Sequence, residues 1–405
     1  MKRLYRNVAE AILFALEDIL NNNKRSSRVL QKCIDTHPKW GSRDRKTFYD
    51  SVYEIIRWKS KYELLSESIK AKDSNWKLIQ CWAILNDYEL LDWKEFDSNP
   101  PTKKELENVE ITDQSVLFAF PKWLFELGEN QLCEKWKEEM NALNSQADIS
   151  LRVNRILAST KQVASKLSMN FNIQTEKINE LPDALILDRG KKFNTNFLHK
   201  KGLFEIQDLN SQRIAPFCMP SQGMKVIDLC AGAGGKALHL AALMRNKGLI
   251  YAFDIEPNKI KELKKRANRA NATIIKSSLL NENDTLVSFE NWADIVLIDA
   301  PCSGLGTLKR NPEIKWKLNQ ETLNNYIKTQ RELLLKGAEV VKDGGVLVYA
   351  TCSIISLENQ DQIEWFLNQK SGKKYSLEAK EQIFAHQSKF DGFFMARMKK
   401  QEITQ

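Results

Sequence analysis

The N-terminal part of the chain carries apolar residues at the three- and four-residue spacing of amphipathic helices. From Tyr5 to Leu20 the apolar positions recur at this spacing, and the asparagines that begin at Asn21 end the helix. Similar patterns predict helices over 26–35 and from Ser42 to Leu65. Because glycine is nearly absent here and the alternating pattern of strands is missing, this region is predicted to be a helical bundle.

Beyond this region, short apolar runs alternate with helical patterns. A small mixed α/β subdomain is predicted over about 148–205. After it, strands are predicted to begin at Val226, Gly248, Ala272, Ala293 and Gly345. The intervening helices are predicted over 236–245, 257–270, 320–341 and 357–369. Apolar, β-branched strands that alternate with helices predict an open parallel sheet covered by helices on both faces.

The first of these strands runs into a loop of small residues that opens a helix. The loop consists of Cys230, Ala231, Gly232, Ala233, Gly234, Gly235 and Lys236. Small residues let the backbone approach a ligand closely, and the free N–H groups of the helix start favour an electron-rich group. Asp254 ends the next strand about 20 residues later, where such folds bind ribose hydroxyls. The glycine spacing is tighter than G-x-G-x-x-G and is typical of S-adenosylmethionine (SAM) methyltransferases.

Two cysteines stand just after the carboxyl ends of predicted strands. Cys302 lies in the sequence Asp299-Ala300-Pro301-Cys302, and Cys352 follows the strand that begins at Gly345. Ligands and chemistry collect at this edge of an open parallel sheet. An arbitrary cysteine is more often a small buried apolar residue, but two of them at strand ends beside the glycine loop favour a catalytic role.

Composition narrows the possible partners and cell compartments. The formal net charge of +9 suits a polyanionic partner, although it also suits an ordinary basic protein. The seven cysteines include no C-x-x-C pair and the four histidines lie far apart, so reduced thiols and no metal site are expected. No apolar run approaches the about 18–20 residues of a membrane helix. Because Met1 leads into an amphipathic helix rather than a signal segment, a cytoplasmic location is expected.

Four stretches of the chain resemble the motifs of the NOL/NOP/Sun family of RNA cytosine-C5 methyltransferases, and the bacterial RsmB-like members are the nearest. These stretches are 226–236, 299–316, 349–353 and 390–394, and the resemblance covers roughly 121 to the C-terminus. It implies a SAM-dependent enzyme that forms 5-methylcytosine in RNA, with ribosomal RNA as the expected substrate. Transfer RNA or DNA as the substrate remains an alternative, as does a non-catalytic RNA-binding factor of ribosome assembly.

The resemblance also assigns roles to the two cysteines. It implies that Cys352 is the nucleophile and that Cys302 assists product release. The DNA cytosine-C5 enzymes would suggest the reverse, because they use the Pro-Cys thiol, but their Glu-Asn-Val motif is absent here. The family places Asp299 where the methyl donor and the target base meet.

For SAM, the resemblance implies contacts from the loop 230–236, from Asp254 on the ribose and from Asp299. The family has a further acid after the third strand, whereas this chain has serines there. Either Ser278 replaces that acid as a hydrogen-bond partner of SAM, or the contact is missing and the affinity for SAM is lower. The basic residues expected on RNA are Lys236, Lys309, Arg310 and Lys315.

Three domains and a monomer are therefore expected. Residues 1–118 form the helical domain, which resembles the NusB RNA-binding module, and 119–207 form a connecting α/β subdomain. Residues 208–405 form an α/β, Rossmann-like SAM-dependent methyltransferase domain.

Overall fold

The computed structural model describes residues 2–187, 197–280 and 286–402. The chain divides into two compact units. Unit 1 comprises Met1–Ser145 and Leu308–Asn319, and unit 2 comprises Gln146–Thr307 and Gln320–Gln405. Among the helices described, none is both long and apolar enough to cross a membrane.

Unit 1 is a bundle of helices, as its apolar pattern predicts. Its helices are α1 (Arg6–Leu20), α2 (Ser26–Thr36), α3 (Ser42–Arg57), α4 (Lys59–Leu65), α5 (Ser74–Leu85), α6 (Lys103–Glu107), α7 (Gln114–Leu117), α8 (Lys122–Leu132) and α9 (Lys135–Leu143). A short parallel pair, β1 (Lys2–Arg3) and β2 (Tyr88–Glu89), joins the start of the chain to the segment after α5. The helix predicted from Ser42 to Leu65 is interrupted at Trp58, which separates α3 from α4.

The core of unit 1 lies where α1 packs against α2, α3 and α5. Ile12 and Leu16 from α1 meet Ile55 from α3 and Ile79 from α5, and all four side chains are fully buried. Burial of one such side chain contributes about 1.5–3 kcal/mol to stability. The predicted domain boundary at 118/119 differs from the division into units, because α7 packs on both α4 and α8 and so joins α8 and α9 to this bundle.

The segment 308–319 is remote in sequence from the rest of unit 1 but is held by it. This segment contains the short helix Ile314–Lys317, which is α15 in chain order. The indole N–H of Trp316 donates to the carbonyl of Ile56 at 2.6 Å, and Arg57 donates to the carbonyl of Lys309 at 3.0 Å. The backbone N–H of Ser26 donates to Glu313 Oε1 at 3.0 Å.

Unit 2 contains two sheets. The smaller one has the order β4-β5-β3-β6 and is antiparallel throughout. Its strands are β3 (Ser150–Val153), β4 (Thr175–Ile178), β5 (Leu181–Leu187) and β6 (Phe204–Ile206), and its helices are α10 (Thr160–Phe171) and α11 (Phe197–Lys200). This sheet confirms the predicted mixed α/β subdomain.

The larger sheet confirms the predicted α/β, Rossmann-like architecture. Its order is β12-β13-β11-β10-β7-β8-β9. The strands are β7 (Lys225–Asp228), β8 (Leu249–Asp254), β9 (Ile275–Leu279), β10 (Ala293–Asp299), β11 (Val341–Thr351), β12 (Tyr375–Ile383) and β13 (Phe393–Lys400). The helices are α12 (Ile214–Phe217), α13 (Gly235–Leu243), α14 (Pro257–Arg269), α16 (Gln320–Val340), α17 (Gln360–Leu367) and α18 (Ala385–Ser388).

The strand order of this sheet reverses between β7 and β10. The strands β7, β8, β9, β10 and β11 pair in parallel, whereas β13 is antiparallel to both β11 and β12. The chain runs outward from β7 to β9 and then returns to the other side of β7 to form β10. Such a switch point opens a crevice at the carboxyl ends of the two strands.

Candidate active site

The two cysteines meet because their strands are neighbours. In the pairing of β10 with β11, Asp299 lies opposite Ala350, so both strands end at the same level. The chain continues from these ends to Cys302 and Cys352, whose Sγ atoms are 3.3 Å apart. Both side chains are partly buried in the described structure, and both are free thiols.

The environment of Cys302 favours its protonated form. Its pKa is raised well above the ordinary value by the hydrogen bond with Cys352, by burial and by the charges of Cys352 and Glu358. Cys302 is therefore the thiol of this pair that retains its proton. The loop after it packs on the other cysteine, since the N–H of Gly306 donates to the carbonyl of Cys352 at 2.9 Å.

Lys236 and Asp299 form an ion pair beside the thiols. The Nζ of Lys236, in the first turn of α13, is 2.5 Å from Asp299 Oδ2 at the end of β10. Burial lowers the pKa of Lys236, but the charges of Asp299 and Cys352 and the hydrogen bond to Asp299 outweigh it, so the pKa is raised. Lys236 therefore keeps a positive charge at the switch point.

The glycine loop joins β7 to α13 at the same edge. Gly232 and Gly234 adopt φ angles of +56° and +87°, which suit glycine. A Cβ at Gly234 would lie 2.8 Å from Leu263 Cγ, whereas a Cβ at Gly232 would meet nothing within 4 Å. Gly232 therefore faces open space, as a loop that approaches a ligand requires.

Asp254 holds the loop from the end of β8. Its Oδ2 accepts a hydrogen bond from the N–H of Gly232 at 2.9 Å, and its Oδ1 accepts one from the N–H of Glu256 at 2.8 Å. Ser278 lies one strand further out, on β9 opposite Phe253, and its side chain is exposed. The edge of the sheet thus brings together the two thiols, the Lys236–Asp299 pair, the glycine loop, Asp254 and Ser278.

Two arginines support the glycine loop from behind. Arg152 of β3 donates to the carbonyl of Gly235 at 2.5 Å and also to Gln207 Oε1. Arg266 of α14 donates to the carbonyl of Ala233 at 2.8 Å and to Glu205 Oε2 at 3.0 Å. Neither role could be predicted from the sequence, since these contacts join residues that are far apart in the chain.

Asp228, at the end of β7, is a further acid of the site that the sequence reading missed. Its carboxylate is fully buried, and within the described residues neither oxygen has a partner at good hydrogen-bond geometry. Burial, reinforced by the charge of Asp299 and opposed by Lys236, raises its pKa to about 8. The available signal was a carboxylate at the end of an apolar strand, directly before the glycine loop.

Two of the basic residues that were predicted to contact RNA are buried in the segment 308–319. Lys315 is fully buried within unit 1, where its Nζ donates to Asn144 Oδ1 at 2.9 Å and lies 4.5 Å from the ring centre of Phe120. Burial lowers its pKa well below the ordinary value. The side chain of Lys309 is buried as well, and Arg310 is partly buried. Lys309 and Lys315 are thus not available to RNA in this structure, because the segment packs as part of a core.

Comparison with known proteins identifies the family. Residues 216–399 match the model of 16S rRNA methyltransferase RsmB/F, and residues 120–194 match that of the ferredoxin-like domain of RsmF/B-like methyltransferases. The chain is 33% identical to the probable ribosomal RNA small subunit methyltransferase B of Synechocystis, over 74% of this chain and 72% of that protein. It is 31% identical to ribosomal RNA small subunit methyltransferase B of Photorhabdus laumondii, over 74% and 70%.

A solved structure agrees with these matches. The crystal structure of PH0851 superposes with a TM-score of 0.83 at 26% identity, covering 98% of this chain and all of that one (100%). The similarity therefore extends over both units of the chain. The chain belongs to the RsmB/F family of 16S rRNA methyltransferases.

Proposed function

We propose that this protein transfers the methyl group of SAM to carbon 5 of a cytosine in ribosomal RNA. The observation that carries the proposal is the pair of thiols 3.3 Å apart, at the sheet edge that also holds the glycine loop and the Lys236–Asp299 pair. The relatives whose names refer to the small ribosomal subunit supply the substrate class.

The chemistry requires a nucleophilic sulfur because carbon 5 of cytosine reacts only weakly. Cys352 attacks carbon 6, and the new S–C6 bond moves an electron pair toward carbon 5. That carbon then bonds to the methyl group, whose bond to the sulfonium sulfur would break and leave its electron pair on that sulfur. A base takes the proton from carbon 5, and the S–C6 bond breaks to return its electron pair to the sulfur of Cys352. The raised pKa of Cys302 supports this division of roles, because a thiol that keeps its proton is a poor nucleophile.

Lys236 and Asp299 are proposed to act beside the reacting sulfur. Lys236 keeps its positive charge next to Asp299 and Cys352. A preorganised charge of this kind stabilises charge that develops during the reaction, because it needs no reorganisation at that moment. Asp299 is proposed to meet the edge of the target cytosine, and Lys236 balances its charge.

The residues of the edge fit SAM, which when bound supplies an electrophilic methyl group on a sulfonium. The open space at Gly232 admits a ligand close to the backbone. Asp254 lies at the end of the second strand, where ribose hydroxyls are bound in such folds. The remaining loop residues from Cys230 to Lys236, together with Ser278 and Asp299, complete the proposed SAM site.

RNA is the proposed partner of the sheet edge. The formal net charge of +9 favours a polyanion. The target base must leave its stack to reach the thiols, so an unpaired nucleotide is favoured over the interior of a duplex. Lys236 is the basic residue proposed to lie closest to that base, and Arg310 is the remaining candidate for a phosphate contact.

The experiment incubates the protein with labelled SAM and with ribosomal, transfer and total RNA from cells that lack the modification, and then maps 5-methylcytosine. Cys352→Ala should abolish transfer, and Cys302→Ala should accumulate a protein–RNA adduct that survives denaturation. Label in transfer RNA alone would reassign the substrate. Retained activity in Cys352→Ala, with loss and no adduct in Cys302→Ala, would reverse the roles of the cysteines.

A further inference from the structure

A buried carboxylate links the two loops that carry the thiols. Glu358 lies in the turn Ser356–Glu358 between β11 and α17 and is fully buried. Its Oε1 accepts from the N–H of Ser303 at 2.7 Å, and its Oε2 accepts from the hydroxyls of Ser303 and Ser353, both at 2.5 Å. Ser303 and Ser353 directly follow Cys302 and Cys352 in the chain.

Nearly all the hydrogen-bonding capacity of the Glu358 carboxylate is used, which explains how this group is tolerated in a buried position. Gln330 of α16 supplies a fourth donor, whose Nε2 lies 3.1 Å from Oε1. A buried carboxylate is costly unless such donors satisfy it. Each serine hydroxyl in turn faces a backbone N–H two residues later, that of Leu305 and that of Ile355, at 3.4 Å in both cases. The two loops therefore have the same local arrangement around one shared anion.

The next residue, Asn359, fixes the loop of Cys352 from both sides. Its Oδ1 accepts from the hydroxyl of Thr351 at 2.6 Å, and its Nδ2 donates to the carbonyl of Ser353 at 3.1 Å. Cys352 is thus held between two residues bound to Asn359. Glu358 is the residue that connects this arrangement to the loop of Cys302.

We infer that Glu358 is a positioning residue that sets the spacing of the two thiols. It touches neither sulfur and acts through Ser303 and Ser353, so it aligns Cys302 with Cys352 without taking part in bond making. For its effect on methylation this inference rests on the proposed function, whereas the effect on thiol spacing is independent of it. Glu358→Gln tests this inference. The amide keeps the shape of the side chain but replaces one acceptor oxygen with an NH₂ group, which would face groups of Ser303, Ser353 or Gln330 that are themselves donors.

The first measurement reports on spacing alone. Diamide oxidises two adjacent thiols to a disulfide: both thiols lose their protons, and the azo bond of the reagent takes up two electrons and two protons. The Cys302–Cys352 linked peptide is followed by mass spectrometry in the full-length protein. We expect linkage in Glu358→Gln to be about tenfold slower or more, because reacting groups must be held in a narrow geometry. Glu364→Gln changes an exposed glutamate of α17, the helix that follows the turn of Glu358; it is the matched control and should link at the wild-type rate.

The second measurement separates alignment from folding. In Glu358→Gln the single-turnover rate of methyl transfer should fall by on the order of 10²-fold, as for a misplacement of about 1 Å. The Kd for SAM and the KM for RNA should remain at the wild-type values. Ser303→Ala and Ser353→Ala, which each remove one hydroxyl from Glu358, should show the same pattern more weakly and provide the test if Glu358→Gln does not fold.

The outcomes discriminate between the two proposals. Slow linkage in Glu358→Gln, with no methylation even by the wild type, would support the positioning role and contradict the proposed function. Wild-type rates of linkage and of transfer in Glu358→Gln, or in both serine variants where that protein is unfolded, would overturn the inference. A lower melting temperature with unchanged rates would assign Glu358 to stability alone.

Discussion

The ammonium of Lys236 lies 2.5 Å from Oδ2 of Asp299, so the helix that follows the glycine loop and the strand that precedes Cys302 are joined by one ion pair. Both side chains are about one-fifth exposed, at 18% and 21%, so water screens the pair only in part. The pair fixes a positive charge where the proposed reaction develops a negative one.

Removal of this charge should affect the reaction more than the fold. In Lys236→Met the single-turnover rate of methyl transfer is expected to fall by about 10²–10³-fold, as when one preorganised group is lost from a catalytic site. Lys247→Met removes an exposed lysine just beyond the same helix and should leave the rate unchanged. Equal rates in Lys236→Met and the wild type would contradict the proposed role of Lys236.

Asp228 should make the protein less stable as the pH rises. Its pKa in the folded state is about 8, against about 3.9 in an unfolded chain. Between these values the folded state holds one proton more than the unfolded state, so the free energy of unfolding decreases with increasing pH. Below about pH 4 and above about pH 8 the contribution to the slope vanishes, because both states have the same protonation.

Asp228→Asn tests this dependence, because asparagine has the same shape but does not titrate. The stability of the variant relative to the wild type should increase between pH 4 and pH 8 by on the order of a few kcal/mol. Denaturant unfolding at pH 5 and pH 8 measures the difference. Parallel pH profiles for the two proteins would show that Asp228 does not titrate in this range.

The two glycines of the loop with positive φ should respond differently to alanine. At Gly234 a Cβ would clash with Leu263, so Gly234→Ala should lower the melting temperature as well as SAM affinity, at a cost of about 1–3 kcal/mol. At Gly232 a Cβ would enter open space, so Gly232→Ala should weaken SAM binding with a smaller loss of stability. Calorimetric titration and thermal unfolding compare the variants. Equal losses of stability would contradict the distinction.

The sequence predicted the parts of this fold that depend on local pattern. The apolar strands that begin at Val226 and Ala293 and the glycine loop between β7 and α13 are each marked by neighbouring residues. The cysteines could be placed at one edge because parallel strands share their carboxyl ends. In contrast, β9 begins at Ile275 rather than Ala272, since strand ends depend on the pairing partner.

The remaining features depend on distant contacts. The strand β12 was not predicted, because Leu377–Ile383 is rich in glutamate, lysine, alanine and glutamine, which favour helices; its pairing with β13 overrides that preference. Glu358 looks in the sequence like any acid before a helix, and only the packing of the two loops reveals its role. Lys315 likewise looks like a surface residue in the sequence, because its burial depends on contacts with residues that are distant in the chain, such as Asn144.

Lys315 provides a direct test of the corrected RNA contacts. Methionine has a similar length and can keep the packing against Phe120, so Lys315→Met should fold. Each lysine on a phosphate of single-stranded RNA contributes about 0.7 to the slope of log K against log salt concentration. Because Lys315 is buried in unit 1, the slope should be the same in Lys315→Met and in the wild type.

The control for this experiment is Lys104→Met, which removes an exposed lysine of the same unit and corrects for the change in net charge. Filter binding of ribosomal RNA between low and moderate salt gives the slopes, and thermal unfolding verifies that unit 1 remains folded. Lys315→Ala should in addition lower the stability of unit 1 by about 2–4 kcal/mol, since it removes buried packing along with the hydrogen bond to Asn144. If the slope of log K against log salt concentration decreased by about 0.7 in Lys315→Met but not in Lys104→Met, Lys315 would be a phosphate contact after all. The segment 308–319 would then have to leave its packed position in unit 1 when RNA binds.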